Sequence, residues 1–112
     1  MLILPIQKKW FDMIAEGIKR EEYREIKPYW DSRLGNYYIG QVFDKYKKIG
    51  LKRFTTLGST ILFRNGYSLN SPHLECECAL RIGQGKPEWG AEPNKEYYIL
   101  EILEVVDGNN RI

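Results

Sequence analysis

The spacing of hydrophobic positions changes along the chain, and each change marks an element. Met1-Leu2-Ile3-Leu4-Pro5-Ile6 is a short apolar run that reads as a first strand. From Lys8 to Glu16 the apolar residues Trp10, Phe11, Met13 and Ile14 recur at helical spacing, with Lys8, Lys9, Asp12 and Glu16 opposite them. That pattern predicts an amphipathic helix, and Gly17 stands where a left-handed helix terminus is expected. Arg20 to Ile26 reads as extended, ending at Lys27-Pro28 because proline disfavours helical geometry in the residue before it. Pro28 can then open a helical turn over residues 28–34. Ser59 to Arg64 is a clear strand, followed by an Asn65-Gly66 turn signal. Leu74 to Ile82 alternates, with Cys76, Cys78, Leu80 and Ile82 on one face and Glu75, Glu77, Ala79 and Arg81 on the other. The run from Gly83 to Pro87 punctuates the chain, and Tyr97 to Val106 is the last strand. Residues 35–54 read as an insertion, with a helix around Gln41–Lys48 and a basic cluster of Lys45, Lys47, Lys48, Lys52 and Arg53. Several strands separated by turns, with one good helix near the start, predict an α+β fold with a curled or closed sheet.

Composition narrows this picture. A chain of 112 residues that is 43% hydrophobic suits one domain, residues 1–112, with a single core. The net charge of +2 is too small for a general polyanion coat, so any nucleic-acid contact should be local. No stretch approaches the length of a membrane-spanning helix, and the N-terminus lacks the basic region and cleavage site of a signal peptide, so a cytoplasmic protein is expected. Cys76 and Cys78 lie on one strand face, where such neighbours seldom bridge. With His73 the one histidine, zinc would need carboxylate ligands. The expectation is buried thiols, no metal and no cofactor.

The densest chemistry follows the first helix, in Gly17-Ile18-Lys19-Arg20-Glu21-Glu22-Tyr23-Arg24-Glu25-Ile26-Lys27. Alternation along an extended segment puts Arg20, Glu22 and Arg24 on one face, with Lys19 at the helix exit. A lysine and a glutamate within reach of each other perturb each other's titration, which suits acid–base work or charge stabilisation. Arg24 offers a planar fork for phosphate or a carbonyl edge. The same pattern also describes a charge-rich edge strand held by ion pairs.

Gly17-x-Lys19-x-x-Glu22-x-Arg24, preceded by an amphipathic helix, resembles the G-x-K-x-x-E-x-R signature of ASCH domains, relatives of the PUA domains. The resemblance implies a small PUA-like β-barrel with an N-terminal helix and rim helices, and a cleft lined by the signature residues. Members of that family have been linked to RNA binding, RNA cleavage and hydrolysis of an acylated cytidine nucleoside. In its small amidohydrolases the lysine acts with a threonine three residues later. Glu22 occupies that position here and cannot supply a hydroxyl nucleophile.

Further residues are candidates to close such a cleft. Arg64, Asn65 and Tyr67 would present a cation, an amide and a ring that can pair with phosphate, read a base edge and stack. Trp89 can cap a pocket or fill the core, and Lys27 can sit at the rim. Three functions stay open. The first is an RNA- or nucleoside-binding domain with Arg24, Lys27, Arg64, Asn65, Tyr67 and Trp89 as ligand contacts. The second is a nucleoside amidohydrolase or ribonuclease, with Lys19 as base or charge stabiliser and Glu22 as proton carrier. The third is a protein-interaction module using the basic 45–53 cluster. An enzyme should hold Lys19 and Glu22 in a partly enclosed cleft, whereas a binding module needs an open basic groove.

Overall fold

In the computed structural model residues 2–38 and 59–109 are described. The elements are β1 (Leu2–Pro5), α1 (Lys8–Ala15), β2 (Glu21–Glu25), α2 (Pro28–Tyr38), β3 (Ser59–Arg64), β4 (His73–Gln84), a short 3₁₀ turn (Pro87–Trp89) and β5 (Glu96–Asn109). The five strands form one sheet in the order β1-β3-β4-β5-β2. β1 runs parallel to β3, and every other neighbouring pair is antiparallel. The sheet curls into a half-barrel, far enough for Arg24 on one outer strand to reach the Pro5 carbonyl on the other.

Two register shifts between β4 and β5 accompany this curl, at Glu75/Cys76 and at Glu77/Cys78. At each one, two residues of β5 oppose one of β4, which bends the strand and raises its twist. The shifts also break the alternation of β5, so that Leu103, Glu104, Val105 and Val106 are all exposed.

Alternation sorts the other residues onto two faces. The inner face holds the main core, where Leu4, Ile61, Phe63, Cys76, Cys78, Leu80 and Leu100 meet Phe11 and Ile14 of α1 and Leu34 of α2. On the opposite face Ala91, Tyr97 and Ile99 pack with Tyr23 in a small second cluster. Gly85 allows the covering segment to lie close, since a Cβ there would come 2.6 Å from the Tyr23 ring.

α1 ends as its sequence suggests. Gly17 has φ +79°, its N–H bonds the Ile14 carbonyl at 3.0 Å, and the Ile18 N–H bonds the Met13 carbonyl at 2.9 Å. This is a Schellman closure, and it reverses the chain immediately before Lys19.

One local expectation is revised. The helix opened by Pro28 runs on to Tyr38, so residues 35–38 of the expected insertion are helical. Leu34 and Tyr38, one turn apart, are both buried, and the Tyr38 hydroxyl donates to the Cys78 carbonyl at 2.8 Å. That packing outweighs the cost of Gly35 inside the helix. The rest of the insertion, with the expected Gln41–Lys48 helix and the basic cluster, lies outside the described residues. The Asn65-Gly66 turn opens a connection over residues 65–72, closed by the Asn65 N–H on the Pro72 carbonyl at 2.9 Å. Only Gly66 of the two takes a positive φ.

Candidate functional site

Lys19 emerges from the α1 closure pointing inward, and its side chain is 0% exposed. The ammonium donates to the Trp89 carbonyl at 2.8 Å and lies 3.2 Å from Glu22 Oε1. The Trp10 and Tyr23 rings flank it, with centroids 5.0 and 4.8 Å from Nζ. Loss of water lowers the Lys19 pKa, and the Glu22 charge opposes that shift.

Glu22 faces the core because its register partner is Leu100, which in turn pairs with Leu80. A carboxylate in such a place needs partners, and Glu22 has two. Its second oxygen accepts from Arg24 Nη2 at 2.9 Å, and the same nitrogen donates to the Pro5 carbonyl at 2.9 Å. The Arg24 guanidinium also stacks near Trp30, 5.1 Å from the ring centre. A continuous line of charge therefore runs from the Trp89 carbonyl through Lys19, Glu22 and Arg24 to β1.

Arg24 marks the point where this line meets solvent. Its side chain is 16% exposed, its Nε is buried without a partner among the described residues, and it lines an open pocket of about 440 Å³. Asn65, Gly66 and Tyr67 form another wall, and Pro5, Ile6 and Gln7 complete it. The Asn65 side-chain amide donates to the Ile6 carbonyl at 3.0 Å, which ties the 65–72 connection to the end of β1. Tyr67 is 88% exposed, leaving its ring free to meet a ligand. Gln7 occupies the N-cap position of α1 without a side-chain capping bond, so the positive end of that helix borders the same pocket as the guanidinium.

The sequence candidates thus divide. Lys19, Glu22 and Arg24 are joined by direct contacts, and Arg24, Asn65 and Tyr67 share the pocket. Lys27 is half-exposed, away from the pocket lining, and pairs with Glu25 at 3.3 Å. Arg64 does not line the pocket either; its carbonyl accepts from the Ile6 N–H at 2.9 Å. Trp89 lies at the other end of the line and meets Lys19 through its backbone carbonyl, not its indole. Sequence reasoning missed Trp10 and Trp30 as aromatic partners of Lys19 and Arg24. Trp10 reads in the sequence only as part of the apolar stripe of the first helix, and Trp30 only as part of the helical turn after Pro28.

Among the described residues no group of three or more His, Cys, Asp or Glu is placed to hold a metal ion. Cys76 and Cys78 are free and buried. Burial pushes the Cys76 thiol up to about 12 and the Cys78 thiol higher still, so neither is a ready nucleophile. No helix among the described residues is long and apolar enough to cross a membrane. Comparison of the chain with protein-family models, with curated proteins and with solved structures finds no match.

Proposed function

We propose that this chain is an ASCH-type, PUA-like domain that binds single-stranded RNA or a nucleotide in the pocket between Arg24, Asn65 and Tyr67. The observation that carries the reading is the posture of Arg24. Glu22 and the Pro5 carbonyl hold its guanidinium at the edge of an open pocket whose lining also includes an exposed tyrosine ring. A fixed planar fork suits phosphate, and an exposed ring suits a base. Lys19 and Glu22 support the pocket from behind by positioning Arg24.

The hydrolase reading draws on the approach of Lys19 to Glu22. The complete burial of Lys19 weighs against it, since a general base must reach the proton it removes. The interaction-module reading relied on the 45–53 cluster, which lies outside the described residues.

Titration of short single-stranded RNAs against wild type, Tyr67→Ala and Arg24→Lys tests the proposal. Wild type should bind with an affinity that falls steeply as salt rises. Tyr67→Ala should weaken binding roughly tenfold or more through lost stacking. Arg24→Lys keeps the charge but loses the fork and should also weaken it. RNA binding unchanged in both variants, or absent in wild type, overturns the assignment.

A further inference from the structure

A second pocket lies at the other end of the charged line, lined by Arg20, Glu21, Lys86, Trp89, Glu101 and the Ile102–Leu103 pair, with a volume of about 360 Å³. Its two acidic residues are already engaged. Arg81 pairs with Glu21 at 2.6 Å and approaches Glu101 at 3.9 Å, and the Tyr23 hydroxyl donates to Glu21 at 2.7 Å. Its two other cations are not: among the described residues neither Arg20 nor Lys86 forms an ion pair. Lys86 instead rests over the Trp89 ring, 4.6 Å from its centre. The pocket therefore combines spare positive charge with an aromatic wall and an apolar floor.

The wall is held in place before any ligand arrives. Lys19 binds the Trp89 carbonyl from inside the molecule. The Trp89 N–H and the Ala91 N–H both bond the Lys86 carbonyl, at 2.9 and 3.2 Å. Gly90 takes φ +102°, and a Cβ there would come 3.1 Å from the Trp10 ring, so the turn packs tightly on α1. Arg20 is fixed at its backbone too, because its carbonyl accepts from the Ile102 N–H at 2.9 Å. A site built in advance loses little entropy on binding.

We infer that this pocket is a second ligand site, separate from the Arg24 pocket, which takes a 5′-mononucleotide. The base lies against the Trp89 indole, and the phosphate is held by Arg20 and Lys86. Lys86 leaves the indole to meet the phosphate, an exchange that is favourable because an exposed cation–π contact is weak beside base stacking. The buried Lys19 acts here as a positioning residue for Trp89. The inference holds whether or not RNA occupies the Arg24 pocket.

The test is a calorimetric titration of uridine and adenosine 5′-monophosphate, the two nucleosides and inorganic phosphate into the intact chain. It is paired with NMR spectra of the tryptophan indole N–H signals, Trp89 being identified with Trp89→Phe. The expected result is that a monophosphate binds and shifts the Trp89 signal, while nucleosides and inorganic phosphate bind at least about tenfold more weakly. Arg20→Gln combined with Lys86→Gln should weaken monophosphate binding at least about tenfold without changing the thermal midpoint, because both side chains are on the surface. The proposal is overturned if millimolar monophosphate leaves the Trp89 signal in place, or if binding survives the double substitution. Inorganic phosphate binding as tightly as the nucleotide would overturn the role of the indole. Binding abolished by Tyr67→Ala would place the nucleotide in the Arg24 pocket and also overturn the proposal.

Discussion

Lys19 exchanges water for one carbonyl, one carboxylate and two aromatic faces, and this exchange sets the energetics of the site. Glu22 is nearly as buried, with a side chain 9% exposed, so removing its lysine leaves a carboxylate with Arg24 alone. Breaking a buried pair from one side is far more costly than replacing both members with apolar groups. Lys19→Met should therefore lower unfolding free energy by about 3 kcal/mol, whereas Lys19→Met combined with Glu22→Leu should recover part of that loss. Chemical denaturation of the two single variants and the double variant measures the coupling. A double variant at the sum of the two single losses would mean that the pair does not act as a unit.

At the scale of elements, the two turns that aim the site depend on glycine to different degrees. Gly17 closes α1 at φ +79°, and a Cβ there would meet nothing within 4 Å. Gly90 follows the 3₁₀ turn at φ +102°, and a Cβ there would press on Trp10. Gly17→Ala should cost about 1 kcal/mol, the backbone penalty alone, and Gly17→Asn less, because asparagine tolerates the left-handed region. Gly90→Ala should cost clearly more, since steric strain against the indole adds to the backbone penalty, and Gly90→Asn should give no relief. Thermal or urea melts of the four variants test this order, and equal losses at the two positions would refute it.

For the whole molecule, buried neutral thiols and phenols on both faces of the curled sheet govern its response to alkali. Burial raises the pKa of Cys76 to about 12 and of Cys78, Tyr38 and Tyr23 beyond that; Tyr98 is raised to about 12 by burial and by its bond to Asp31. Unfolded thiols release their protons near 9 and unfolded phenols near 10, while the folded protein keeps them. The folded state then holds more protons, so stability is full below pH 9 and falls as pH rises towards the folded values. Lys19, whose pKa is lowered by burial, works the other way as pH approaches 10.5, but it is one group against several. Urea midpoints should be level up to about pH 9 and then fall steeply. Cys76→Ala with Cys78→Ala should delay the fall towards the phenol range near pH 10. An unchanged onset in that variant would show that the thiols do not carry the effect.

The fold and the candidate site were legible in the sequence only in part, and the division has a physical basis. Short-range periodicity and turn chemistry determined the first helix and its glycine closure, the strand over residues 59–64, and the face shared by Cys76 and Cys78. These depend on neighbours a few residues apart. The local pattern also brought Lys19, Glu22 and Arg24 together, because they sit on one turn and one strand. It did not reveal that Glu22 faces the core, since that follows from its pairing with Leu100 and Leu80 across three strands. Nor did it show that Lys19 meets a carbonyl seventy residues away, or that Asn65 and Tyr67 share a pocket with Arg24 while Lys27 and Arg64 do not. Strand register, the bulges of β5 and the curl that brings β2 to β1 decide those contacts, and they arise only when distant segments compete to bury the same core.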